Sequence, residues 1–227
     1  MSKNVYKSFI SEFSNTVEND FSIKRYNMYG PISNEYWDQK FRVAIYNLES
    51  YDDGYEGCRY VDIDVIKRWW SSKTIRFSAV IANALINYMN TNSLLVQQEL
   101  RKSYYEKETL LNSISKIAYL NFRITDNEDS PAGYLEINKE FGLFNKFLFK
   151  QFELLDPHVV IIGSQAGCYY FNCMIKPETP LKYKNHLYYN DKLFVSMNHT
   201  SGNGCRGWYN EISSNIDLIS VFLRSRN

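Results

Sequence analysis

The sequence predicts an α/β protein with three layers, α/β/α, around a central, mainly parallel four-stranded sheet. Four short apolar runs, residues 42–48, 116–121, 158–162 and 192–197, are too brief for helices and suit buried strands. Longer stretches with helical spacing of apolar residues separate them. Strand and helix alternate through the chain, which makes successive strands parallel and places helices on both faces of the sheet. With 227 residues, 44% of them hydrophobic and 22% charged, the whole chain, 1–227, suits one large globular domain.

Each element has its own signal. Residues 7–19 can form an amphipathic helix with Phe9, Ile10 and Phe13 on one side. Gly30-Pro31 breaks the chain. Residues 42–48 read as the first strand, followed by a loop carrying Asp52, Asp53, Gly54 and Gly57. Residues 64–70 and 75–89 read as helices, and the polar, periodic stretch 92–114 as another. The strand 116–121 comes next. A helix over 138–155 stops at Asp156-Pro157, because proline disfavours helix at the residue before it. The strand 158–162 enters Gly163, a helix follows over 165–174, the last strand is 192–197, and 208–224 is the closing helix.

Composition narrows the function. The net charge of +1 argues against a uniformly basic nucleic-acid coat and leaves room only for a local basic face. Aromatic residues make up 16%, with 19 tyrosines; flat rings with a polar tip suit stacking on bases, although an Asn-, Ile-, Lys- and Tyr-rich composition also produces them. Cys58, Cys168, Cys173 and Cys205 form no C-x-x-C pair and lack zinc-ligand spacing with the three histidines, so no metal is expected. Thin cysteine usage fits a reducing cytoplasm. The opening residues carry no long apolar run and no stretch is long enough to span a bilayer, so a soluble, cytoplasmic monomer is expected. The run Ile162-Gly-Ser-Gln-Ala-Gly167 hints at a dinucleotide loop but lacks the third glycine spacing and comes late in the chain.

In parallel sheets, ligands bind beyond the carboxyl ends of the strands. Three of these ends carry reactive or base-reading side chains: Asn47-Leu48-Glu49-Ser50-Tyr51, Leu120-Asn121-Phe122-Arg123, and Met197-Asn198-His199-Thr200-Ser201-Gly202. Alone, each has a structural use: an asparagine caps a turn, a loop glutamate is solvated, a lone histidine is a core residue. Together, and in this order, they bring a carboxylate, an amide and an imidazole to one crevice.

These segments resemble the uracil-DNA glycosylase superfamily. Glu49-Ser50-Tyr51 is similar to its first motif, an acidic or amide residue before a Pro-Tyr or Pro-Gly turn. Ala118-Tyr-Leu-Asn121 is similar to its apolar strand ending in Asn, and His199-Thr200-Ser201-Gly202 to its His-Pro-Ser-Pro motif. The segment Leu155-Asp-Pro-His-Val-Val-Ile-Ile-Gly163 looks like the strand between the last two. The likeness spans about residues 40–210. Ser50 and Thr200 replace prolines common in the family, and a helical insertion at about 62–112 is long for it.

The resemblance implies a monofunctional DNA glycosylase acting on double-stranded DNA without a cofactor. Glu49 and His199 are the implied catalytic pair: Glu49 stabilises the cationic sugar and orients water, and His199 donates a hydrogen bond to the departing base. Asn121 reads the base edge, and Tyr51, Tyr55 or Tyr60 stacks on the flipped base. Ser201, Arg206 and Trp208 are the DNA-contacting residues, with Arg206 or Trp208 filling the gap left by the base. No iron–sulfur cluster is expected, because no cysteine precedes Cys58 and no close pair exists. No lysine lies in the three motifs, so no Schiff base and no strand cut are expected. Loop glycines Gly54 and Gly57 and the missing proline leave room for a bulky base. This favours glucosylated hydroxymethylcytosine in phage DNA, an antiviral substrate of divergent bacterial branches, over uracil repair. A non-catalytic DNA- or nucleotide-binding member of the same fold is the other alternative.

Overall fold

Tyr6, Ile10, Phe13 and Val17 recur at helical spacing, and all four are buried along one side of α1, Lys3–Asp20. Two short strands follow, β1 (Arg25–Met28) and β2 (Gly30–Pro31), then a 3-10 turn at Asn34–Asp38 whose Ser33 hydroxyl accepts from Glu35 N. The apolar run expected as the first strand is β3, Val43–Asn47, with every residue buried. After β4 (Gly57–Tyr60), Asp62 caps α2 (Ile63–Arg68) by accepting from Asp64 N and Val65 N. The helix α3, Lys73–Thr91, ends at Asn92 in the left-handed region at φ 58°, a conformation asparagine tolerates. The helices α4 (Gln97–Ser103) and α5 (Lys107–Ile114) lead to β5, Ala118–Asn121. The rest of the chain is α6 (Tyr134–Leu155), β6 (Val159–Ile162), α7 (Gln165–Ile175), β7 (His186–Tyr189), β8 (Lys192–Ser196) and α8 (Cys205–Arg224). The computed structural model describes residues 3–21, 25–48, 57–125, 134–198 and 205–226, with backbone alone at 20, 57, 134–136 and 205–208.

The fold is α/β, and its main sheet has six strands in the order β2-β5-β3-β6-β8-β7. The four inner strands are mutually parallel and correspond to the four apolar runs. The expected four-stranded sheet is thus extended by an antiparallel strand at each edge, β2 beside β5 and β7 beside β8. A separate two-stranded parallel sheet joins β1 and β4. These extra strands are short, and β7 is half exposed, so none carries a continuous apolar run that reads as a strand. Gly30-Pro31, expected to break the chain, is itself an edge strand, where proline's missing N–H faces away from the ladder.

The single helix expected over 92–114 is two. Glu99 Oε2 accepts from Val96 N at 2.8 Å to start α4, and a turn at Tyr104–Tyr105, closed by Glu106 N donating to Ser103 O at 2.8 Å, separates it from α5. The connection β3→β5 moves one way across the sheet, and β5→β6 and β6→β8 move the other. Right-handed crossovers therefore place the two sets of helices on opposite faces. Consistently, α1, α6 and α7 pack together, as do α3, α4, α5 and α8. Among the described residues no helix is long and apolar enough to cross a membrane.

Candidate active site

The strand order reverses at β3: the chain leaves it toward β5 and later returns to its other side as β6. Such a switch point opens a crevice beyond the carboxyl ends of the two strands. Here those ends are Asn47 and Ile162. Asn47 and Asn121 are register partners on β3 and β5, 3% and 1% exposed. Their neighbours Tyr46 and Phe122 stack at 5.0 Å, and Phe122 meets Phe141 of α6 and Tyr170 of α7. Side chains alternate along a strand, so Asn47 and Asn121 face the other layer, that of α3 and α8.

Gly163 follows β6 and is tied to the end of β3. Its N–H donates to Tyr46 O at 3.0 Å, and Phe122 N donates to Asn47 O at 3.1 Å, so the ladder runs past the last strand residues. A Cβ at position 163 would lie 3.2 Å from Asn47 Oδ1, so the absence of a side chain there lets the Asn47 amide sit against the backbone. Ser164 caps α7 by accepting from Gly167 N at 2.8 Å. Cys168 Sγ and Ser196 Oγ, 2.9 Å apart, tie that helix to the end of β8, and burial pushes the Cys168 thiol up.

The segment entering His199 is held by Asn198. Its backbone N–H donates to Glu211 Oε1 at 2.9 Å and its Nδ2 to Glu211 Oε2 at 2.7 Å, while Tyr183 Oη donates to its Oδ1 at 2.5 Å. Glu211 lies on α8, so one carboxylate ties the chain just after β8 to the closing helix. A buried carboxylate ties the chain beyond β5 to α6 in the same way. Glu140 of α6 accepts from Ile124 N at 2.5 Å, Thr125 N at 2.9 Å, Thr125 Oγ1 at 2.5 Å and Arg123 Nε at 3.0 Å. Burial pushes its pKa above the usual value, against the pull of those four donors.

At the opposite end of the sheet is a structural cluster. Asp156, at φ 45°, pairs with Arg42 at 2.7 Å and with Lys192. Burial alone would raise its pKa, but Lys192 and Arg42 hold it below the usual carboxylate range. His158 Nδ1 accepts from Arg42 N at 3.0 Å, and burial, then Arg42, pushes its pKa below the ordinary value.

The expected site residues divide as follows. Asn121 is buried at the end of β5, beside Asn47. Glu49, Tyr51, Tyr55, His199 and Ser201 lie outside the described residues. Arg206 and Trp208 fall in the first turn of α8, with their side chains outside the description. Tyr60 is placed elsewhere: β4 pairs with β1, not with the main sheet, and Tyr60 lines a cavity of about 650 Å³ with Lys3, Tyr6 and Trp37. No crevice residue lines that cavity; burial, then Cys58, pushes the Tyr60 hydroxyl up to about 12. Sequence reasoning did not single out Asn47, Asn198, Glu211 or Glu140. Asn47 and Asn198 did carry a signal, as polar residues closing apolar strands just before Glu49 and His199.

No family model and no curated protein matches this chain. The site is therefore read from its own geometry. Tyr46, Ile162 and Ser196 form one row across β3, β6 and β8. In sequence, Glu49 and His199 each come three residues after that row, past the ends of β3 and β8 that flank β6, and both lie outside the described residues. Among the described residues no group of three or more His, Cys, Asp or Glu is placed to hold a metal ion.

Proposed function

We propose that this protein is a DNA glycosylase that flips a modified pyrimidine out of duplex DNA and hydrolyses its bond to the sugar, with glucosylated hydroxymethylcytosine of phage DNA as substrate. The observation that supports it is the common row formed by Tyr46, Ile162 and Ser196: Glu49 and His199 each follow it by three residues in sequence, and two buried amides, Asn47 and Asn121, end the adjacent strands β3 and β5. The finer likeness to the uracil-DNA glycosylase superfamily belongs to the same proposal.

In this reading the C1′–N bond breaks and its electron pair leaves with the base. Glu49 stabilises the cationic sugar, orients the water that adds to C1′ and takes its proton. His199 donates a hydrogen bond to the base carbonyl as negative charge grows there. The Asn121 amide accepts from a cytosine amino group or donates to a uracil carbonyl. Unprotonated cytosine is the poorer leaving group, so binding energy from the appended sugar is used to hold the flipped nucleotide in the reactive pose.

The test is incubation with glucosylated phage DNA, uracil-containing DNA and unmodified DNA, followed by alkali. Alkali-labile sites and free base are expected from glucosylated DNA, with no cut before alkali and no adduct trapped by borohydride. Release of uracil with glucosylated DNA left intact identifies a repair enzyme instead. A shifted band in a gel without base release from any substrate identifies a non-catalytic binding protein.

A further inference from the structure

The helices between β3 and β5 carry cations laid on aromatic rings. The Arg76 guanidinium of α3 lies 4.9 Å from the Tyr104 ring centre, that of Arg101 of α4 lies 5.5 Å from Tyr209, and Lys107 Nζ at the start of α5 lies 6.0 Å from Trp70. Phe77 packs on both Tyr104 and Tyr209, and Gln97 Nε2 donates to Asn210 Oδ1 at 2.5 Å, so α3, α4 and the start of α8 form one continuous patch.

The patch stands at the crevice end of the domain. The far ends of α3 and α8 lie together, with Tyr88 Oη donating to Ser220 O at 3.4 Å, and Met89 and Leu223 share a cavity wall with Phe41, just before β3 begins. The near ends, Lys73 on α3 and Tyr209 on α8, therefore point toward the carboxyl ends of the strands. They belong to the layer that Asn47 and Asn121 face. Tyr209 follows His199 by ten residues.

Among the described residues none of Lys73, Arg76, Arg101 and Lys107 is in an ion pair. Glu99 is engaged by Val96 N, Glu106 lies 3.9 Å from Lys102, and Glu108 is the acidic neighbour on α5. A cation resting on a ring is held in place with donors left to meet an anion, and a guanidinium can give a phosphate two parallel bonds. Tyr105, 84% exposed, adds a flat ring beside Tyr104.

We propose that this patch binds the phosphodiester backbone of the DNA strand beside the crevice, so that the helical insertion is a backbone clamp; the inference rests on the DNA substrate assigned above. The insertion supplies charge where the net charge of the whole chain does not.

The test measures binding of an unmodified fluorescent DNA duplex by anisotropy over a range of salt concentrations. Arg101→Ala and Lys107→Ala are each expected to weaken binding several-fold and to reduce the slope of log K against log salt by about 1, and the double variant by about 2. Arg101→Lys, which keeps the charge, retains the slope. Lys150→Ala, on α6 in the opposite layer, changes neither quantity. Circular dichroism and Tm check that each variant is folded. An unchanged slope in the double variant, an equal loss in Lys150→Ala, or a wild-type protein that binds no duplex overturns the proposal. Duplex binding with the expected slopes but no base release leaves the clamp standing and removes the glycosylase reading. Base release with a slope indifferent to Arg101 and Lys107 does the reverse.

Discussion

Asn47 and Asn121 stand side by side as register partners at the carboxyl ends of β3 and β5, both buried and both on the same face of the sheet. Two uncharged amides there present donors and acceptors without the desolvation cost of a charge. Asn121→Asp keeps the size but removes the donor pair. It is expected to lower uracil excision far more than excision of a cytosine-derived base, because a carboxylate accepts from the amino group but cannot donate to the carbonyl. The ratio of the two rates on matched substrates is the measurement, and an unchanged ratio removes Asn121 from base reading.

The contact between Gly163 and Asn47 leads to a second expectation. Gly163→Ala places a methyl group 3.2 Å from Asn47 Oδ1, so the amide must shift by a few tenths of an ångström. Activity should fall at least ten-fold, since small misplacements in a site are costly in rate. A Tm drop of only a few degrees is expected beside it. Equal activity in this variant would show that Asn47 does not border the reacting base.

In the proposed reaction Asn198 serves as a positioning residue for His199. Asn198→Ala keeps the backbone N–H bond to Glu211 Oε1 but removes the acceptor of Tyr183 Oη and the Nδ2 bond to Glu211 Oε2, a hydrogen bond to a carboxylate worth about 1.5–3 kcal/mol. The expected result is a lower kcat with DNA affinity preserved. Glu211→Gln, which keeps one acceptor, should lose less. A fall in affinity with kcat intact would assign the pair to DNA docking.

Glu49→Gln and His199→Ala are each expected to reduce single-turnover excision by about a hundred- to a thousand-fold, the usual effect of removing one transition-state donor, with Tm unchanged. Wild-type rates in both would place the reaction elsewhere.

His158 makes stability depend on pH. Its folded pKa is depressed by burial and by Arg42, so the unfolded chain takes up a proton first as pH falls below about 6.5. Stability should therefore decline as pH drops from about 6.5 toward the lower folded value. His158→Gln removes the titrating group and should flatten the denaturation midpoint over that window. A midpoint in the variant that falls as steeply as in the wild type would assign the slope to other groups.

The sequence by itself determined the parts whose signal is local. Four apolar runs became the four parallel strands, and amphipathic spacing found α1, α3, α6, α7 and α8, because burial of a continuous stripe or run is written along a single segment. It also placed Asn121 at the end of a strand, since a polar residue ending an apolar run stands out. Tertiary structure decided what depends on partners distant in the chain. β1, β2, β4 and β7 are strands only because a neighbour completes their ladders. Tyr60 lies away from the crevice because β4 pairs with β1 instead of joining the main sheet. The pairing of Asn47 with Asn121, the grip of Glu211 on Asn198, and the rings beneath Arg76, Arg101 and Lys107 join residues from 13 to 108 positions apart. Most of these are contacts between separate elements, which no local periodicity records, because their energy exists only after the chain has closed.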